Sequence, residues 1–569
     1  MSYTSIAYLG FILMGSFFFY SIVPLKHKWK VLLIFSYLFY FINSGKYIVF
    51  ILFSTLSIYF GGLLLNKIDD GFSMAKKALP KENKKEFKSI IGWQKKCVCV
   101  SIVLLNLGIL VYLKYSVFFG QVFCDILSIF HIKISNPMQN MMLPLGISFY
   151  TLSAISYIVD VYRGKYKASD NLGKVALFLV FFPHIVEGPI GRFDLLGDQV
   201  YEGHPFDYKN ATMGLQLVFW GLFKKIVIAD RANMYVNQIF NFHDQYDGLY
   251  VIIGMLLYTL QLYAEFSGCM DIVRGSAQMF GIEMSENFAR PFMSKTVSEF
   301  WRRWHMTLGA WFKDYVFYTI SLSKAFMKLS KKTREKFNAF FATLIPTSIA
   351  MLAVWFGTGI WHGASWKYVM YGIYYCLIMI LGLLTEPLFR KLFEKMHVNR
   401  EGKIYKALQV VRTFIFVNIG MLMFRADDLK IFGQMFISMF RNLSWDPIRY
   451  GELFDVRIGM SDFLLLLFGA IVLLLVGLYQ EQGRHIREDI AAKNIVFRWV
   501  LYYGLIFSVI ILGAYGSGYE VALYTHNFRI DGERYEKRQN KKYNKMYPVF
   551  HHFLCTDGSS VGCILSEDQ

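Results

Sequence analysis

Eleven long apolar runs, separated by short polar gaps, set the layout of this chain. They cover residues 6–23, 47–65, 97–119, 142–159, 211–229, 251–266, 348–361, 368–384, 411–424, 463–478 and 497–514, each nearly free of charge. A helix needs about 20 apolar residues to cross a hydrocarbon layer, so the pattern predicts about eleven transmembrane helices, with shorter apolar stretches as re-entrant or interfacial helices. Backbone N–H and C=O groups inside lipid have to be paired within their own segment, which selects helices over an open sheet. The period-two alternation of a membrane barrel is absent. The expected fold class is all-α and polytopic.

No solenoid period or internal repeat interrupts the series. Residues 1–520 read as one membrane domain and 521–569 as a polar C-terminal tail. That tail is basic and Tyr-rich from residue 529, then small and polar, a composition of low order.

Composition sharpens the membrane reading. Of 569 residues, 55% are hydrophobic, 18% aromatic and only 18% charged. The formal net charge of +19 would suggest nucleic acid on a soluble protein. Here the Lys and Arg gather in the gaps at 67–96, 324–336 and 390–406. That is the positive-inside pattern, which makes these loops cytoplasmic and anionic lipid headgroups their partners. It argues against nucleic-acid binding and for a multi-pass protein of the cytoplasmic membrane. No cleavable signal peptide is evident, because the first run lacks a basic start and continues into further membrane helices. The seven cysteines show no zinc or thioredoxin spacing. Cys555 and Cys563 could pair if the tail faces an oxidising space.

Ionisable residues beside membrane-depth segments are costly and mark candidate function. Helical spacing over 299–311 places Trp301, Trp304, His305 and Leu308 on one face, with Glu299, Arg302 and Arg303 elsewhere around the axis. Two readings stand: an interfacial amphipathic helix with Trp at headgroup level, or a histidine presented among large rings. In the segment WFGTGIWHGASW (355–366), Gly357, Gly359 and Gly363 surround Trp361 and His362. Small residues there permit either tight helix packing or irregular backbone lining a cavity. An imidazole titrates near neutrality, so it can take a proton from a hydroxyl and return it, the step that acyl transfer from a thioester to an alcohol requires. Neither a G-x-S-x-G elbow nor an H-E-x-x-H pair is present, and no third ligand stands at metal-site spacing, so no metal or bound cofactor is expected. Pro144, Gly146, Pro183, Gly188, Pro189 and Gly191 break helices. Asp160, Arg163, Glu187 and Arg192 either pair with one another or line a vestibule. Glu265, Asp271 and Arg274 read as an internal ion-pair network.

The stretches LPLGISFYTLSAISYIVDVYRG (143–164), FFPHIVEGPIGRF (181–193), GLFKKIVIAD (221–230), the run ending EFWRRWHMTLGAWFKDYVF, GIWHGASW, FRADDL (424–429) and GAYGSGY (513–519) together resemble the membrane-bound O-acyltransferase (MBOAT) family. The branch they resemble is the bacterial one that serves alginate O-acetylation, peptidoglycan O-acetylation and teichoic-acid D-alanylation. The resemblance implies a ring of tilted helices around a central tunnel, with His362 as the general base and His305 as the second active-site residue. It makes Trp301, Arg302, Arg303, Trp304, Trp361, Glu265 and Asp271 candidate tunnel-lining residues and Tyr524 a candidate acyl relay. It further implies a cytosolic acyl thioester as co-substrate (acetyl-CoA or an acyl-carrier protein), a polysaccharide acceptor, and an extracytoplasmic esterase-like partner. The chain departs from the family pattern at Ala264, Glu265, Cys269 and Met270, and at His184, where glutamine is common. The expected activity is transfer of an acyl group, foremost acetyl, toward hydroxyls of a cell-surface polysaccharide. The alternatives are D-alanyl transfer to teichoic acid, or a transporter or flippase without bond-forming chemistry.

Overall fold

The computed structural model describes residues 2–78, 80, 83–132, 134–136 and 143–515, with the side chains of 76–78 excepted. The tail from residue 516, and with it Tyr524, Cys555 and Cys563, lies outside the described residues.

Apolar runs with internally paired backbone fold as helices, and the described chain is helical from end to end. In order these are α1 (Gly15–Ile22), α2 (Lys28–Ser44), α3 (Ile48–Ala78), α4 (Lys84–Ile129), α5 (Ile147–Tyr162), α6 (Leu172–Val180), α7 (Phe193–Glu202), α8 (Tyr208–Leu222), α9 (Asp230–Asn241), α10 (Gly248–Met279) and α11 (Val297–Arg303). There follow α12 (Met306–Trp311), α13 (Tyr318–Ser321), α14 (Lys324–Lys336), α15 (Ala339–His362), α16 (Trp366–Lys395), α17 (Lys403–Arg425), α18 (Leu429–Ser438), α19 (Asp446–Arg449), α20 (Met460–Glu481), α21 (Ile486–Ala491) and α22 (Ile495–Leu512). The only bridge among the described residues joins Phe288 to Trp304.

Nine stretches among the described residues are long and apolar enough to cross a membrane, and two shorter apolar helices, Ala7–Ile22 and Ile147–Tyr162, accompany them. Each of the eleven runs coincides with one of these. The protein is an all-α, multi-pass membrane protein. The run list does not contain α2, whose apolar stretch is flanked by Lys28 and Lys30 and closes on Asn43 and Ser44. Helix α6 is too short to span, and from Val175 to Val180 every residue is buried.

The centre is built on α10, which packs antiparallel to α8 through paired glycines. A Cβ at Gly214 would stand 2.6 Å from the carbonyl oxygen of Gly275, and one at Gly268 would stand 2.8 Å from that of Gly221. The two backbones therefore approach as closely as side-chain-free residues allow, the packing that membrane helices favour where apolar burial gives no drive. Gly268→Ala is expected to force these helices apart at a cost of about 1–3 kcal/mol, read as a lower thermal unfolding midpoint and less folded protein in detergent. An unchanged midpoint would show that the seam yields. Helices α15 and α16 meet in the same way, Gly359 against the Tyr368 carbonyl and Gly372 against that of Trp355. The packing reading of the glycines near His362 thus holds for Gly359.

Candidate active site

The histidine of the Trp-Arg-Arg-Trp-His run is not on a helix face. Helix α11 ends at Arg303, Trp304 is extended, and His305 adopts the left-handed conformation (φ 48°, ψ 52°) before α12 begins. The single face predicted for Trp301, Trp304, His305 and Leu308 is therefore corrected. Helical periodicity presumes an unbroken right-handed backbone, and this one reverses at His305. A non-glycine residue in that region is strained by about 1–2 kcal/mol, and it persists because neighbouring contacts fix it.

Those contacts come from the segment that follows α10. Phe288 bridges Trp304, Ala289 N–H donates to Arg303 C=O at 2.9 Å, and Met306 N–H donates to Asn287 C=O at 3.0 Å. Asn287 is buried. Its side-chain oxygen accepts from Thr307 N–H at 3.0 Å and from the Thr307 hydroxyl at 2.9 Å. A backbone N–H can only donate, so that atom is the amide oxygen. His305 Nδ1, 3.2 Å from the same oxygen, must then carry a proton. In the neutral ring Nε2 is a bare lone pair. It is buried without a hydrogen-bond partner among the described residues.

His362, the last residue of α15, reaches the same place. Its ring lies 5.0 Å from the Trp361 ring, and the Trp361 ring lies 5.7 Å from that of His305. The two imidazoles pack against one indole and are close enough to interact electrostatically. His305 is buried, and His362 and Trp361 are half-buried. Phe266 packs edge-on to His305 at 4.8 Å, while Phe424 and Tyr371 do so to His362 at 5.2 and 5.9 Å. Trp301 continues the wall against Trp355 and Tyr375, at 5.0 and 4.8 Å. The indole nitrogens of Trp301 and Trp361 are buried donors without partners among the described residues. Buried polar atoms are ordinarily paired, so the unpartnered nitrogens of Trp301, Trp361 and His305 mark this aromatic cluster as a candidate substrate site.

The other sequence candidates divide. Trp304 stacks on Phe300 at 5.5 Å and supports the His305 turn. Arg303 bonds Glu299 at 2.7 Å and Glu481 at 3.0 Å, and Arg302 is exposed. Glu265 and Asp230 share Lys225, at 3.1 and 2.6 Å, and Asp271 takes Lys224 at 2.6 Å. That is an ion-pair network, of which Asp271 also lines a separate cavity. Arg192 pairs with Asp314 at 2.8 Å, Arg163 bonds the Asp314 carbonyl at 3.1 Å, and Asp160 faces Lys165 at 3.6 Å. Arg192 and Arg163 thus tie their loops to the segment after α12, and Asp160 pairs locally at the end of α5.

Two residues escaped the sequence reading. Asn287, in the run Glu286-Asn287-Phe288, shows its role only once 287 and 305 are juxtaposed. Lys114 gave a plain signal, a single lysine deep inside an apolar run. Its ammonium donates to the Trp361 carbonyl and, at 3.3 Å, to Ser148 Oγ. It also stands 5.6 Å from the Trp361 ring centre.

The fold is that of a polytopic membrane protein, and it brings two imidazoles against one indole. Residues 168–424 match the model of the membrane-bound O-acyltransferase family. The chain is 30% identical over 401 residues to a Pseudomonas aeruginosa protein named probable alginate O-acetylase AlgI, covering 69% of each chain. It is 30% identical over 343 residues to the teichoic acid D-alanyltransferase of Bacillus subtilis (57% of this chain, 82% of the relative). It is 27% identical over 356 residues to the peptidoglycan O-acetyltransferase of Helicobacter pylori (58% of this chain, 62% of the relative). The chain belongs to the membrane-bound O-acyltransferase family and is an O-acyltransferase of the membrane.

Proposed function

We propose that this enzyme moves an acetyl group from a cytosolic thioester toward hydroxyls of a cell-surface polysaccharide, with residues 1–520 as the transferase domain and 521–569 as a polar tail. The observation that supports it is the pair of imidazoles, from distant parts of the chain, packed against the one Trp361 ring. His362, the more accessible, takes the proton of the accepting hydroxyl as its oxygen attacks the thioester carbonyl. The C–S bond breaks, and the departing thiolate takes that proton back. His305, when protonated, donates from Nε2 to the carbonyl oxygen. The Asn287 oxygen accepts from Nδ1–H in either state, so the ring keeps its orientation. The Trp361 indole N–H is a second donor for the developing oxyanion.

Acetyl is favoured over D-alanyl by charge. The fixed ammonium of Lys114 lies against Trp361, and among the described residues that touch the two imidazoles there is no carboxylate to receive an aminoacyl ammonium. An extracytoplasmic esterase-like partner completes delivery to the polymer. Purified enzyme supplied with acetyl-CoA or with an acyl-carrier thioester should consume the acetyl donor, and mass analysis of the polymer should show acetyl esters. Recovery of D-alanyl esters would replace the acyl assignment. Export without thioester consumption would replace the chemistry.

A further inference from the structure

A cavity of about 420 Å³ lies between α8, α10, α20, α21 and α22. Asn287 and Met270 form part of its wall; the Asn287 oxygen holds His305 Nδ1–H and its amide nitrogen donates to Met270 Sδ at 3.2 Å. Its remaining walls are of two kinds. The charged part carries Lys224, Arg274, Arg290 and Arg487 together with Asp271 and Glu286; the rest is largely apolar and aromatic, with Trp220, Leu473, Val476, Leu501, Tyr502 and Leu505.

The cations are not equally answered. Lys224 has Asp271, Arg274 has Glu286 at 3.1 Å, and Arg290 has Glu481 at 2.6 Å. Arg487 donates to the Met213 carbonyl at 2.9 Å and to Gln278 Oε1 at 2.8 Å, and no carboxylate among the described residues lies within 4.0 Å of it. Burial, then the like charge of Arg274, press its guanidinium below the ordinary range. Arg498 sits one turn before Tyr502, on the same face of α22 as Tyr502 and Leu505. Its Nε is buried without a partner among the described residues. Neither guanidinium makes a direct ion pair among the described residues: Asp271, Glu286 and Glu488 act on Arg487 only from beyond 4.0 Å, and Arg498 stands one turn below the lining residues Tyr502 and Leu501.

The apolar wall also leads outward. Leu464, Leu467, Leu474 and Leu475 of α20, and Val500, Phe507, Ile510 and Ile511 of α22, are exposed, as helix faces against hydrocarbon are. A small soluble anion would satisfy the guanidiniums and leave the cavity's apolar half facing water. A molecule with an anionic head and hydrocarbon chains matches both halves. Basic pockets between membrane helices recognise lipid headgroups on this principle.

We propose that this cavity holds one anionic phospholipid, its phosphate on Arg487 and Arg498 and its acyl chains along α20 and α22. The lipid packs behind Asn287 and braces the support of His305.

The test is lipid binding by the purified full chain in neutral detergent, followed by native mass spectrometry. Titration with dioleoyl phosphatidylglycerol should give one retained copy, bound about 30-fold more tightly than dioleoyl phosphatidylcholine, since each basic residue near the headgroup contributes about 1 kcal/mol. The double variant Arg487→Gln/Arg498→Gln should lose the preference, and Arg487→Lys/Arg498→Lys should keep most of it. Equal retention of the two lipids by the wild type would overturn the proposal, as would a preference that survives the glutamine pair. Coenzyme A displacing phosphatidylglycerol one for one would also overturn it, assigning the cavity to a soluble phosphate-bearing donor. The wild-type titration and the coenzyme A competition need no variant, so they decide the matter even if the glutamine pair does not fold.

Discussion

His362→Ala should lower acyl transfer by about 10²–10⁴-fold, the range over which general acid–base groups act, while leaving the fold intact. The fold survives because His362 is the terminal residue of α15 and half-buried, and among the described residues no hydrogen bond from its ring holds two elements together. The helix pairing beneath it rests on Gly359 and Gly372, which the substitution leaves in place. The measurement is polymer ester content in cells, or donor turnover by purified protein, at matched expression and matched size-exclusion profile. Wild-type transfer by a well-folded His362→Ala enzyme would remove this residue from the chemistry.

Asn287→Ala should impair both stability and activity, in separable ways. The substitution leaves one buried donor, His305 Nδ1–H, and two part-buried ones, the Thr307 amide and hydroxyl, without this acceptor. Each unpaired buried donor costs about 1–3 kcal/mol, so the thermal midpoint should fall distinctly. The strained His305 backbone also loses part of what holds it. Asn287→Asp keeps every acceptor, so its midpoint should stay nearer the wild type. A carboxylate beside Nδ1 favours the protonated ring. If His305 acts as a protonated donor, the alkaline limb of the pH–rate profile then moves to higher pH. An aspartate variant with an unshifted profile, together with an alanine variant of normal turnover, would leave Asn287 a packing residue only.

The helices were legible because lipid imposes a length and an internally paired backbone, and the eleven apolar runs carry both. Helix α2 was overlooked because its basic and amide flanks shorten the uninterrupted run. Of the candidate site, His305, His362, Trp301 and Trp361 could be named from the sequence. Their arrangement could not. The period that placed Trp304 and His305 on one helix face fails at a single residue with positive φ, and no spacing rule encodes a reversal made outside the helix. Asn287 was invisible for a related reason: it acts by touching His305, and only the antiparallel return of 287–289 against 303–306 creates that contact. Lys114 was readable in principle, since a lone lysine within an apolar run rarely sits there without a partner.

The reversed backbone at His305 also restricts what evolution can put there. Most side chains resist positive φ, β-branched ones most of all, whereas asparagine and aspartate tolerate it several-fold better. Drift away from histidine at this site therefore runs downhill toward asparagine, a residue that can still donate a hydrogen bond to a carbonyl but cannot carry a proton. A lineage that made that exchange would retain the shape of the turn and hand all proton traffic to the single imidazole at the end of α15.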